Sequence, residues 1–233
     1  MDTSRINNTW PVAKEGIPFI VVSSGFAILF ACLGFACVAI PLGVIALFII
    51  FFFRDPDRRY ETDEEGVVLT PADGTVLEVR RLDGDDNPIG KSAVKVSIFM
   101  SIFNVHVNRV PIGGMIERIA YHPGKFFSAN LDKASTENEN NVITLTAKGG
   151  ERIAFVQIAG FIARRIACWI QKGDVVVRGQ RFGLIRFGSR LEVYLPSESR
   201  IAVRVRQKVK AGVTAIGRLP SGTREEGDSI KAA

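Results

Sequence analysis

Two textures divide this chain. From Gly16 to Phe53 no charged residue occurs, whereas after Arg54 short alternating apolar and polar runs recur, broken by Gly, Pro, Asn and Asp. One membrane-spanning helix needs about 20 apolar residues, and a pair needs about 40 with a turn. Residues 17–53 therefore exceed one straight span, and the helix breakers Gly34, Pro41 and Gly43 stand near the middle. The pattern predicts a membrane-associated helical hairpin over residues 16–53. A single long, tilted or kinked span and a re-entrant segment are the other forms it allows. A secretory signal, with an apolar core of about 7–15 residues and a small-residue cleavage site, fits poorly. So long an uncharged stretch also argues against a buried core helix. Arg5 and Lys14 precede the run, and Arg54, Arg58 and Arg59 follow it. The positive-inside tendency places both ends on the cytoplasmic side of a cell membrane.

The remainder reads as a β-rich domain, so the fold class expected is mainly β (α+β). Strands are predicted at Val67–Leu69, Thr75–Arg81, Val94–Phe99, His106–Val110, Met115–Tyr121, Val142–Thr146 and Arg152–Ile158, then at Asp174–Val177, Phe182–Phe187 and Leu191–Leu195. Turns fall at Pro71–Gly74, Asp83–Asp86 and Lys148–Gly150. The polar, Asn-rich stretch Leu131–Asn141 reads as a surface loop, and Gly160–Ile166 as a short helix or a strand. Arg200–Lys210 alternates basic with apolar residues and predicts one strand with a positive face. That face suits lipid headgroups, or a solvated edge strand guarded by charge. The spacing of Gly173, Gly179 and Gly183 resembles the turns of lipoyl/biotinyl-type folds, although no lysine occupies the Met-Lys hairpin tip of a carrier. The boundaries are thus an N-terminal segment (1–15), the apolar helices (16–53), the β-rich domain (54–220) and a tail (221–233) expected to be disordered.

A net charge of +6 with pI near 9.4 points to an acidic partner. No basic-aromatic recognition pattern is present, which favours anionic lipid over nucleic acid. Three cysteines without paired spacing argue against a disulfide framework and fit a reducing compartment. Two histidines with no Cys or carboxylate at ligand spacing argue against zinc.

The candidate chemistry centres on Gly188-Ser189. A Gly-Ser pair between strands is usually an ordinary turn. It also permits self-cleavage, in which the serine hydroxyl attacks the preceding carbonyl and glycine permits a crowded backbone. A serine needs a base to become a nucleophile. His106, in an apolar strand-like setting, and His122, before Pro123-Gly124, are the histidines available. The bland reading of His106 is a hydrogen-bonded core residue, and that of His122 a turn residue. Asp73 suits a turn first, and could also orient a histidine as the third member of a triad does. Spacing alone assembles no triad.

Three ordered segments resemble the phosphatidylserine decarboxylases: Pro71-Ala-Asp-Gly74; Phe103-Asn-Val-His106 with Tyr121 to Asn130; and Gly179-Gln-Arg-Phe-Gly183 through Phe187-Gly-Ser189. The resemblance runs from about Arg54 to Gly217, and the compact length is similar to that of the short bacterial branch. It implies that Ser189 becomes a pyruvoyl cofactor after cleavage into chains 1–188 and 189–233, which stay together as a heterodimer. His106 would be the base for cleavage and Asp73 its orienting partner. The pyruvoyl group would form a Schiff base with the amine of phosphatidylserine, release carbon dioxide and yield phosphatidylethanolamine, with no metal and no diffusible cofactor. Arg164 and Arg165 are candidate phosphate ligands; otherwise they are a solvated basic pair. A higher homo-oligomer is compatible with this reading. Two departures stand out. Arg190 follows the serine where many members have Thr, and Phe103 occupies the position of a second histidine, whose role therefore does not transfer. Two competing readings remain: a membrane-anchored, non-enzymatic β-domain adaptor, and a pyruvoyl decarboxylase of a soluble amino acid.

Overall fold

The structure, a computed structural model, describes residues 2–60, 64–129, 134–161, 165–186 and 188–220. A four-residue helix, α1 (Thr3–Ile6), leads into the uncharged run, which forms α2 (Ile17–Cys32) and α3 (Ala36–Phe52). The two pack on each other across a turn at Leu33–Phe35, so Gly34 is the break and Pro41 lies inside α3. Their outer surfaces are apolar and uncovered: Val21, Phe26, Ile28, Ile40 and Leu47 are all more than half exposed. A helix apolar on every side needs a non-aqueous neighbour. With its leading turn, α2 (Lys14–Cys32) is long and apolar enough to cross a membrane, and α3 is a shorter apolar helix of 17 residues.

The base of this helix pair is built into the β domain. Val12 bridges to Arg54, and the Ala13 amide donates to the Phe53 carbonyl at 2.8 Å. Phe52 and Phe53 are fully buried in the main core, beside Val68, Val105 and Val107. The end of α3 is therefore core material of the neighbouring domain.

The domain comprises three sheets. The largest has eight strands in the order β13 (Lys208–Val209), β2 (Gly74–Leu82), β3 (Ala93–Met100), β11 (Ser189–Pro196), β7 (Arg152–Ile158), β6 (Asn140–Ala147), β5 (Gly114–His122) and β9 (Val175–Val176). A second joins β4 (Val107–Arg109), β10 (Arg181–Ile185) and β8 (Ile166–Cys168). A third joins β1 (Val67–Leu69), β14 (Ala215–Arg218) and β12 (Arg200–Ile201). The C-terminal strands β9 to β14 are shared among all three sheets.

β11 occupies the middle of the large sheet. It pairs with β3 from Ser189↔Met100 to Pro196↔Ala93 and with β7 from Arg190↔Ile158 to Tyr194↔Ala154. Its odd-numbered residues Leu191, Val193 and Leu195 enter the apolar core, while Arg190, Glu192 and Tyr194 share the opposite face.

Two expectations are corrected. Arg200–Lys210 is not one strand: β12 and β13 belong to different sheets, and the intervening chain turns with Arg206 at φ 69°. Alternation of charge there mimicked a strand. Nor is the Asn-rich stretch simply a surface loop, although 130–133 lie outside the described residues. A short helix, α4 (Ala134–Glu137), precedes β6, and Asn138 and Asn141 are buried. The Asn138 side chain satisfies Phe127 N and O and Ala159 O, at 2.7–2.8 Å, and so binds the loop to the sheet. Part of Gly160–Ile166 (162–164) and the expected tail also lie outside the described residues; Ile166 begins a strand.

Candidate active site

Ser189 is the first residue of β11 and is fully buried, yet its hydroxyl has no hydrogen-bond partner among the described residues. A buried hydroxyl without a partner is costly and unusual. Its predecessor Gly188 has φ +62°, a left-handed conformation that a side chain would disfavour. Continuing the β11–β7 register two residues past Arg190↔Ile158 sets Gly188 opposite Gly160. A Cβ placed on Gly160 would lie 1.9 Å from the Gly188 carbonyl oxygen. The carbonyl that a Ser189 hydroxyl would attack is thus seated against the bare Cα of Gly160, two residues beyond β7. Gly160 was invisible as a site residue in the sequence, because only the strand register brings it to Gly188.

His106 lies at the same end of the large sheet. Ser189 pairs with Met100, the last residue of β3, and a tight turn closed by the Asn104 side chain on Ser101 leads to His106 and β4. Asn108 of β4 reaches back to the Met100 sulfur at 3.7 Å. The imidazole is fully buried, with no hydrogen-bond partner for either nitrogen among the described residues. Its ring lies against Phe52, with centroids 4.1 Å apart. Burial lowers its pKa from 6.5 to about 4; the Asn104 backbone, near the ring though outside hydrogen-bond geometry, opposes the fall, the Arg54 charge adds to it and the Asp73 charge opposes it. The ring is neutral at pH 7 and able to accept a proton. His122, by contrast, is the exposed last residue of β5.

Asp73 is buried, but its carboxylate is not bonded to His106. It accepts from both terminal nitrogens of Arg58, one at 2.9 Å, and from the Ala211 amide at 2.8 Å. Arg58 also donates to the Ala211 carbonyl at 3.0 Å. Ser189, His106 and Asp73 are therefore not hydrogen-bonded to one another in the uncut chain. Such contacts are often loose before a site is engaged. Phe103, in the place of a second histidine, is exposed, and its carbonyl accepts from Arg54 at 2.8 Å.

Arg190, the residue after the serine, is held in a buried network. Its guanidinium is 1% exposed and donates to Ser97 Oγ and the Glu192 carboxylate, each at 2.9 Å. Glu192 also accepts from Ser135 and Tyr194, while Lys95 neutralises Glu78 beside it. This buried network pins β11 one residue beyond the reactive serine. Arg165 is exposed near the end of β8, while Arg164 lies outside the described residues.

Comparison with known proteins fixes the class. The family model for phosphatidylserine decarboxylase matches residues 45–217. A phosphatidylserine decarboxylase proenzyme from Magnetococcus marinus is 47% identical over 210 residues, covering 89% of this chain and 95% of the relative. Those from Syntrophus aciditrophicus (48% over 209 residues; 88% and 96% covered) and Desulfotalea psychrophila (46% over 213; 90% and 97%) are equally similar. This chain is a decarboxylase made as a self-processing proenzyme. It belongs to the phosphatidylserine decarboxylase family and acts on that phospholipid.

Proposed function

We propose that the chain cuts itself between Gly188 and Ser189, turns Ser189 into a pyruvoyl group, and uses that group on phosphatidylserine at the cytoplasmic face of a membrane. The observation that carries this reading is the buried, unpartnered Ser189 hydroxyl behind a left-handed glycine whose carbonyl is seated against Gly160.

His106 takes the hydroxyl proton, Oγ adds to the Gly188 carbonyl carbon, and the peptide C–N bond breaks, with the proton passing to the Ser189 nitrogen. Loss of the Ser189 α-proton expels the Gly188 carboxylate. The resulting dehydroalanine then takes up water and releases ammonia, leaving pyruvoyl. Asp73 influences His106 through its charge, since its hydrogen bonds go to Arg58 and Ala211. The pyruvoyl group supplies an electron sink for decarboxylation. The chain's own residues hold the group in place, exclude water and deliver protons. Among them, the neutral His106 under Phe52 is the candidate proton carrier.

The fold also accounts for a two-chain product. A cut before β11 leaves that strand between β3 and β7 of the larger chain, with Asp73 still bonded to Ala211 of the smaller one. The helix pair, inserted as a membrane hairpin, would hold the site near the headgroups, because Phe52 joins α3 directly to His106.

Gly160→Ala should slow cutting by at least about a hundredfold, the scale of an ångström-sized misplacement of reacting groups. Gel bands followed over time check this, with a Ser189→Ala chain as the uncut, folded reference for thermal unfolding. For the substrate, the processed enzyme should release carbon dioxide from phosphatidylserine vesicles and none from free serine. Equal release from free serine would support the soluble-substrate reading instead.

A further inference from the structure

The β10–β8 ladder ends at Ile185↔Ile166. The next rung of the same register sets Arg186 opposite Arg165. Like charges directly across strands repel and need compensation. Among the described residues neither guanidinium has a hydrogen bond or an ion pair, and the Arg165 charge outweighs that of Glu15 at Arg186. The carboxylate nearest this corner, Glu15, binds Arg5 at 2.6 Å and the Trp169 indole at 3.1 Å through Oε1. Its Oε2 has no hydrogen-bond partner among the described residues, so Glu15 reaches Arg186 through its charge but forms no ion pair with it.

The corner's position is equally specific. Arg186 lies 5.1 Å from the centre of the Phe19 ring, in the first turn of α2. At the other foot of the helix pair, Arg54 lies 3.9 Å over Phe51. Both guanidiniums thus sit at the level where the apolar helices leave the domain, the depth at which phosphates of a bilayer would lie. Arg186 is also only two residues before Gly188, on the segment that delivers the reactive serine. A phosphodiester a few bonds from a serine amine would reach this unbonded pair while its amine approaches residue 189.

We propose that Arg165 and Arg186 form a clasp for the phosphodiester of the substrate lipid, a binding site that the shared-charge geometry leaves open to an anion. The proposal rests on the reading of phosphatidylserine as substrate. Two guanidiniums supply forked donors matched to phosphate oxygens. The bland reading is a solvated basic pair adding general attraction to anionic membranes.

The test uses full-length, fully processed protein carrying Arg186→Gln, Arg165→Gln or both, with Arg186→Lys as the conservative control. Kinetics are measured on vesicles of phosphatidylcholine with increasing phosphatidylserine, and on a long-chain serine ester that lacks phosphate. The clasp predicts a rise in KM for phosphatidylserine of about tenfold per lost guanidinium, kcat within about threefold, and partial rescue by Lys. It predicts no difference between variants and wild type on the phosphate-free ester. Binding to phosphatidylglycerol vesicles, and inhibition of the wild type by inorganic phosphate, separate the sources. Loss of vesicle binding equal to the KM rise would make the pair a general membrane patch and overturn the clasp. Unchanged KM in the double variant would overturn it as well. A wild type inactive on phosphatidylserine would instead sink the substrate reading beneath it. Should the double variant fail to process, the single variants and Arg186→Lys decide the question by the same criteria.

Discussion

Ser189→Ala is expected to accumulate as one uncut chain with no decarboxylase activity above background. The substitution removes a single oxygen that makes no hydrogen bond among the described residues. Stability should therefore be unchanged or slightly raised, since a buried hydroxyl without a partner costs free energy. Loss of cutting with an unchanged thermal transition would separate chemistry from folding. Ser189→Cys keeps a nucleophile at the same place and is expected to cut slowly. A Ser189→Ala chain that still splits at this bond would remove the hydroxyl from the reaction.

Replacing His106 with Gln or Ala should have an effect of similar rank, slowing cutting by about a hundredfold to ten-thousandfold, the usual range for a general base. The wild-type pH profile carries a sharper signature. Burial holds the His106 pKa at about 4, so the neutral, basic form persists well below neutral pH. Cutting should therefore be level from about pH 8 to about pH 5 and then fall about tenfold per unit below pH 4. A histidine of ordinary pKa would begin to fail at about 6.5. Because the folded pKa is depressed, the unfolded chain binds the proton first, and folding loses support as pH drops from about 6.5 through about 4, by about 3 kcal/mol in all. His106→Gln should flatten that dependence in chemical denaturation, and retention of the full slope would assign it to other groups.

Most of the architecture was legible because period-2 alternation survives in strands with one buried face. β2, β3, β5, β6, β7 and β11 all fall where their apolar residues alternate or run together. Arg200–Lys210 failed as one strand because a charged turn interrupts the same alternation, and charge on every second residue cannot reveal a reversal. The apolar run was legible as two helices from Gly34, but not the insertion of Phe52 and Phe53 into the domain core, which depends on the Val12–Arg54 bridge. At the site, ordered motifs pointed to Ser189, His106 and Asp73 as candidates. They did not show that Asp73 grips Arg58 and Ala211, residues far apart in sequence. Gly160, Arg186 and the Arg190–Glu192 network were also silent, since each acquires its meaning from a strand register. Arg190 stood out in the sequence as the residue after the serine, and its burial beside Glu192 makes it an ion-pair anchor.

The central claim is that Ser189 itself becomes the cofactor, and intact mass of the wild-type protein under denaturing conditions tests it most directly. The account predicts two chains meeting at Gly188 and Ser189, the larger ending in a free glycine carboxylate and the smaller beginning with pyruvoyl in place of serine. A folded, catalytically active protein of a single full-length mass, or a smaller chain beginning with unmodified serine, would contradict it.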